Sequence, residues 1–207
     1  MIPVSRSGTK RTLVSAGVLM GISALLTAAA VTGEQELRIP VISNGDIFNL
    51  VAAGSSEPGW TPTEDSWAQA NPEDDYRIQL TSDGSGYLMA PGSTLDVRVA
   101  VKNNSSNRAG EIELTIVDPW PRGEAVDPVT GNYLELFDHL NFTIRDGATL
   151  LADAVPGKDL RTIIWPGDLP AGEQLILDVA IHMPSELDNR WQMASTDLTF
   201  SFEGINP

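Results

Sequence analysis

Apolar and polar residues alternate along several segments, and this period of two constrains the fold more than any other feature. The longest alternating segments are residues 93–102, 111–117, 174–182 and 197–203. Successive side chains of a strand point to opposite faces, so each segment has one apolar face and one polar face. The predicted inward residues are Leu95, Val97, Val99, Val101, Ile112, Leu114, Ile116, Leu175, Leu177, Val179, Ile181, Leu198, Phe200 and Phe202.

Shorter segments at residues 76–80, 141–144 and 160–165 alternate as well, and clusters of Gly, Pro and Asn separate the strands. Many short strands with frequent turns, and no alternation of strand with helix, are typical of an antiparallel sandwich. Only residues 133–140 have apolar residues at helical spacing. The sequence therefore predicts an all-β fold, an antiparallel jelly-roll or Ig-like β-sandwich with one short cap helix.

The first 29 residues have the composition of a secretory signal peptide. Arg6, Lys10 and Arg11 make its start basic, an uncharged apolar stretch follows, and small residues including Ala29 and Ala30 end it. This order predicts cleavage after one of those two alanines. An uncleaved membrane anchor is less favoured, because the apolar stretch only just reaches the length of a span and is rich in small residues.

The remaining chain divides into an N-terminal strand segment, residues 30–53, and a β-sandwich domain, residues 54–207. Its length suffices for one domain with a sizeable core. Residues 54–72 contain Ser, Pro, Thr and Glu without periodicity, so we expect a long surface loop there.

The tryptophans fall into two groups. Trp60 and Trp67 lie in the predicted loop, where an isolated loop would not need them. They are therefore candidate interface residues that dock on a neighbouring subunit. Trp120 and Trp165 adjoin prolines at strand ends, and we expect them to seal the edges of the core.

The chain is strongly acidic and contains no cysteine. Its formal net charge is −15, and every Asp and Glu lies beyond the signal peptide. Such a surface repels nucleic acid and anionic lipid, so we expect no nucleic-acid partner and no membrane association after signal cleavage. The absence of cysteine excludes thiol catalysis and thiolate metal sites.

Residues suited to catalysis are sparse. His139 and His182 are the only histidines, and neither belongs to the paired-histidine motif of zinc peptidases or accompanies a nucleophile-elbow serine. The acidic residues 73–75 and the oxygen-rich turn at residues 82–86 lack EF-hand spacing and are better explained as solvated turns than as calcium sites. We therefore predict a protein that is not an enzyme, with no catalytic residue, no bound metal and no cofactor.

The order of several segments resembles the TasA/camelysin family of secreted bacterial proteins. An apolar stretch runs directly into two short strands, a Pro-Gly turn and an Asn-rich turn bracket the next strands, and a final set of strands follows. These segments are residues 27–53, 87–116, 136–144, 169–184 and 198–204. The resemblance implies a jelly-roll-like domain that serves as a structural subunit of extracellular fibres.

The resemblance also implies how such subunits assemble. In the family's fibres an N-terminal strand of one subunit can complete the sheet of its neighbour, after a dedicated type I signal peptidase has released the mature chain. The two apolar pieces at residues 36–41 and 47–53 supply the candidates for this donor strand. The candidate donor residues are Leu37, Ile39, Val41, Ile47 and Phe48.

Two functional hypotheses follow. The first is a head-to-tail homopolymer in the biofilm matrix or on the cell surface, joined by donor-strand complementation, with a minor anchoring or nucleating protein as a further candidate partner. The second is a secreted monomeric module that binds polysaccharide or another surface protein. They differ in whether residues 30–50 are donated to a neighbour or folded back onto their own sandwich.

Overall fold

The computed structural model describes the side chains of residues 49–68 and 86–205, and the backbone of strand segments 29–31, 37–39, 41–42 and 76–78. All but two of the described strands lie in two packed sheets around one core, which confirms the predicted all-β sandwich. They are β1 (Ala29–Val31), β2 (Leu37–Ile39), β3 (Val41–Ile42), β4 (Leu50–Ser55), β5 (Tyr76–Ile78), β6 (Tyr87–Met89), β7 (Thr94–Asn103), β8 (Glu111–Val117), β9 (Asn141–Asp146), β10 (Thr149–Pro156), β11 (Ile163–Ile164), β12 (Gln174–His182) and β13 (Thr199–Ile205).

The first sheet is five-stranded and antiparallel, in the order β10-β9-β12-β7-β4. Its central pair, β12 and β7, is in register from Gln174 opposite Lys102 to His182 opposite Thr94. The edge strand β10 contains two register shifts, which interrupt its hydrogen-bonding edge. The other edge, β4, is partly covered by the chain that follows it.

The second sheet is six-stranded, in the order β11-β8-β13-β2-β5, with β3 also paired to β13. Strands β8 and β13 form a long antiparallel pair. Strands β2 and β3, by contrast, run parallel to β13. A separate antiparallel pair joins β1 to β6.

The core lies between the two sheets. All the predicted inward residues are buried except Leu175, which is half-buried at one end of the sandwich. Phe142 and Ile144 of β9, together with Leu50 and Ala52 of β4, complete the core. The four long alternating segments therefore have the register that their apolar periodicity predicted.

Four elements differ from the sequence prediction. A single 3-10 turn, Phe137–His139, stands where a cap helix was predicted over residues 133–140. Strand β10 was not predicted, and the strand predicted over residues 160–165 is limited to β11. The boundary predicted between residues 53 and 54, which separates the N-terminal segment from the sandwich domain, falls inside strand β4. Within the described part of the chain, no helix has both the length and the apolar character needed to span a bilayer.

Candidate assembly edge and the two ends of the sandwich

The candidate assembly edge is the side of β13 that faces β2 and β3. Thr199 pairs with Arg38, Phe202 with Val41, and Glu203 with Ile42, all in parallel register. The predicted donor residues Leu37 and Ile39 of β2 and Val41 of β3 therefore lie along the last strand of their own chain. The other two candidates, Ile47 and Phe48, lie outside the described residues.

The residues of β13 that face the core make this position well packed. Phe200 and Phe202 are fully buried. Thr199, which pairs with β2, is 7% exposed, and its Oγ1 has no hydrogen-bond partner among the described residues. A buried hydroxyl without a partner costs free energy, so the assembly edge contains one polar group that the described residues do not satisfy.

The loop after β4 packs against its own sheet. The backbone of Ala68 exchanges hydrogen bonds of 2.9 and 3.0 Å with Ala52, which covers part of the β4 edge. The Trp60 carbonyl accepts a 2.6 Å hydrogen bond from Arg98 Nη1, and Lys102 Nζ lies 5.8 Å from the centre of the Trp67 ring. Both tryptophans are half-buried in their own domain, so only part of each surface is accessible to a neighbour.

A groove of about 370 Å³ lies on the outer face of the five-stranded sheet beside this loop. Asp178 at its centre accepts a 2.7 Å charge-assisted hydrogen bond from Arg98 Nε. Arg145 lies opposite Asp178 on the next strand and has no ion-pair partner among the described residues. The groove therefore holds two guanidinium groups and three carboxylates, those of Glu57, Asp96 and Asp178.

The end of the sandwich beyond β8 and β12 is formed by residues 118–135 and 188–196, and we call it the Trp120 end. Its centre is the buried carboxylate of Glu135, which is 3% exposed. Its Oε1 accepts hydrogen bonds from the backbone N–H groups of Leu136 (2.8 Å) and Phe137 (2.9 Å), and its Oε2 accepts one from Arg122 (2.9 Å). The Arg122 guanidinium in turn donates to Oγ (2.8 Å) and to the carbonyl oxygen of Ser195. This network ties the two segments together.

A second carboxylate, Asp118, reinforces the same end. Its Oδ2 accepts a 2.6 Å hydrogen bond from the buried Thr196 hydroxyl, and its Oδ1 accepts a 2.6 Å bond from the Trp120 backbone N–H. Tyr133 stacks on Trp191 with ring centres 4.4 Å apart. The backbone of the Trp120 end is thus fixed by buried polar and aromatic contacts.

Large apolar side chains nevertheless project from this end into solvent. Trp120 is 64% exposed, Val129 is 90% exposed and Met193 is 79% exposed. Met193 also has a φ of 73°, in the left-handed region that non-glycine residues seldom adopt. The prediction that Trp120 seals the core edge is wrong, because Asp118 and Pro119 lead its backbone out of β8 and away from the core.

The opposite end of the sandwich contains an apolar crevice of about 410 Å³, which we call the Trp165 crevice. Ile112, Trp165, Leu169 and Leu175 line it between the two sheets. Trp165 is 7% exposed, and its indole N–H donates a 3.2 Å hydrogen bond to Asp146. Trp165 therefore lies at the core edge, as its position next to Pro166 predicted.

The two histidines lie in different surroundings. The His139 ring lies 4.1 Å from the Trp191 ring, and partial burial lowers its pKa below the ordinary value, against the opposing effect of Asp138. His182 Nδ1 lies 3.1 Å from the Thr94 hydroxyl oxygen. Among the side chains that the structure describes, His, Asp and Glu form no group of three or more that could hold a metal ion. The predicted solvated turns at residues 73–75 and 82–86 lie outside the described residues, except for Gly86.

Comparison with known proteins gives no direct assignment. No protein-family model matches the chain, and no curated protein matches it in sequence.

Proposed function

We propose that this chain is a structural subunit of an extracellular fibre in a biofilm matrix or on a cell surface, and that copies assemble head to tail by donating an N-terminal strand. The observation that carries the proposal is the parallel pairing of β2 and β3 with β13. A parallel pair cannot be closed by a hairpin, and these strands come from opposite ends of the chain. The same strand from a second copy would supply the same backbone hydrogen bonds.

The unpaired sheet edge that would remain favours replacement of the departing strand by the same strand of another copy. When β2 and β3 leave, β13 and β5 both expose unpaired N–H and C=O groups, which favour pairing with another extended segment. The predicted cleavage after Ala29 or Ala30 leaves this segment close to the new N-terminus, so it can leave the sheet without moving a long preceding stretch of chain. Donation from one copy to the next is heterologous and does not close, so it produces filaments.

The test is removal of the donor from the mature chain. We expect a variant lacking residues 30–40 to stay folded, as judged by circular dichroism and urea unfolding, but to form no fibres in negative-stain electron microscopy. A synthetic peptide of residues 34–42 should bind this variant, whereas a scrambled peptide of equal composition should not. Strand donation is wrong if fibres persist without residues 30–40, or if their removal unfolds the domain.

The groove beside the loop after β4 favours a second candidate function, a monomeric module that binds surface polysaccharide. Arg98 and Arg145 face a groove large enough for one or two sugar units, and the half-buried Trp60 adjoins it. Binding of a surface polysaccharide that falls at least about tenfold on Arg145→Ala, but not on Arg161→Ala, would favour this function. Arg161 is exposed and lies outside the groove.

A further inference from the structure

We propose that Met193 is an oxidation site of the mature chain, which accepts one oxygen atom from a peroxide while the domain stays folded. The site lies outside the assembly edge, so it does not depend on fibre formation. Its substrate class is a small peroxide dissolved in water, of which hydrogen peroxide is the simplest.

The sulfur atoms of the chain are few. It contains no cysteine and five methionines, of which Met1 and Met20 lie in the predicted signal peptide. After cleavage the remaining sulfur atoms are the thioethers of Met89, Met183 and Met193. Met89 and Met183 are 0% exposed in the core, whereas Met193 is 79% exposed. A peroxide in the solvent therefore reaches one thioether in the folded mature chain.

A tight turn holds the Met193 side chain in solvent. Gln192 has a φ of −62° and a ψ of 122°, and Met193 has a φ of 73°. The Ala194 N–H donates a 3.0 Å hydrogen bond to the carbonyl oxygen of Trp191. These values describe a type II β-turn with Met193 at its third position. Trp191 and Ala194 are both buried, so the turn is fixed to the core at its two ends.

The residue type at this position is unusual. The third position of a type II turn favours glycine, because a side chain disfavours a positive φ. A methionine there has a strained backbone and gains almost no burial, so stability does not explain its presence. What methionine supplies and glycine does not is a polarizable thioether.

The reaction requires access to the sulfur and no further catalytic group. A lone pair of the Met193 Sδ attacks one oxygen of hydrogen peroxide, and the S–O bond forms as the O–O bond breaks. The sulfur loses two electrons, which reduce the two peroxide oxygens. The proton on the transferred oxygen passes to the leaving hydroxide, so one water molecule is released and methionine sulfoxide remains.

The position of the sulfur decides what its oxidation does to the fold. A sulfoxide is polar and disrupts packing when it forms in a core, as it would at Met89 or Met183. At Met193 the new oxygen lies in water and displaces no packed neighbour. Each mature chain can therefore take up one oxygen atom without unfolding, and a methionine sulfoxide reductase can restore the thioether.

The test follows each methionine separately. The mature chain is treated with dilute hydrogen peroxide at a concentration that keeps it monomeric, and peptide mass spectrometry measures sulfoxide over time. We expect Met193 to be oxidised at least about tenfold faster than Met89 and Met183, which are reached only when the domain opens. In urea that unfolds the chain, the three rates should agree within about twofold, since exposure then no longer differs. Similar rates at Met193 and Met183 in the folded chain overturn the inference.

Variants and stability provide the second readout. Met193→Leu should abolish the fast uptake of oxygen, and so should Met193→Gly, which suits the positive φ. Met183→Leu, a conservative change in the core, should keep it. The urea midpoint of the chain oxidised at Met193 should equal that of the unoxidised chain. Fast uptake that persists without Met193, or a lower midpoint after its oxidation, overturns the inference, whatever the outcome for fibre formation.

Discussion

Replacement of Glu135 by alanine is predicted to be one of the most destabilising single changes outside the apolar core. The carboxylate accepts three backbone N–H groups at 2.8–2.9 Å and lies 3.8 Å from the Arg122 guanidinium nitrogen Nε. Each buried donor left without a partner costs about 1–3 kcal/mol. Because the hydrogen bonds from Arg122 and Phe137 are only partly buried, we expect a total loss of about 3–5 kcal/mol rather than the full sum.

Substitution of Glu135 by glutamine provides an intermediate variant against which the loss of stability in Glu135→Ala can be compared. Glu135→Gln can keep the oxygen that accepts from Leu136 and Phe137, but its amide nitrogen would face the N–H of Arg122. We expect a loss of about 1–2 kcal/mol for this variant. Glu124→Ala, an exposed carboxylate in the same segment, is the matched control and should change stability by less than about 0.5 kcal/mol.

Urea unfolding of the mature chain, at a concentration that keeps it monomeric, measures these differences. A loss of about 3 kcal/mol corresponds to a fall in midpoint of roughly 1–2 M for a domain of this size. A loss below about 1 kcal/mol for Glu135→Ala, or a loss equal to that of Glu124→Ala, would show that the network does not hold the Trp120 end to the sandwich.

The remaining predictions concern the core and the pH dependence of stability. Phe200→Ala should lower the free energy of unfolding by about 3–5 kcal/mol and Val99→Ala by somewhat less, since both side chains are fully buried. Arg98→Ala should lower it by no more than about 1 kcal/mol, because the ion pair with Asp178 is partly exposed. Similar losses for all three variants in urea titrations would contradict the assigned faces. Burial lowers the pKa of His139, so the unfolded chain takes up a proton there more readily than the folded chain, and stability should fall as the pH drops from 7 through the ordinary histidine pKa near 6.5. His139→Gln should flatten this part of the pH profile, and an unchanged profile would contradict the assignment.

The long strands were predictable because their periodicity reports burial directly. In β7, β8 and β12 every second residue is apolar, and a slip of one residue would expose the whole set. Strand β10 escaped prediction because register shifts between Leu150 and Val155 break the period, and Ala154 has a φ of 49°. The single 3-10 turn at Phe137–His139 buries Leu136 and Leu140 beside it, and this spacing of apolar residues is also that of a short helix.

The Trp120 end was not predictable, because its contacts join residues far apart in the chain. Asp118 and Thr196, or Arg122 and Ser195, stand in segments that show neither periodicity nor a known motif. The Asp-Pro-Trp sequence after β8 resembled other strand ends, and only the path of the backbone shows that Trp120 points to solvent. The parallel pairing of β13 with β2 and β3 could not be predicted either, since periodicity identifies strands but does not identify their neighbours.

The parallel pairing of β2 and β3 with β13 has a mechanical consequence. A load applied along these strands slides one past the other. The backbone hydrogen bonds of the pair are perpendicular to this load, so all of them carry it at the same time. A hairpin pulled at its open end would instead lose its bonds one after another. If neighbouring copies exchange this strand, tension along the fibre acts on the joint in its shear direction. The lifetime of the joint under load is then set by the rate of forced opening, and a fibre can resist flow or surface drag even where strand exchange at rest is readily reversible.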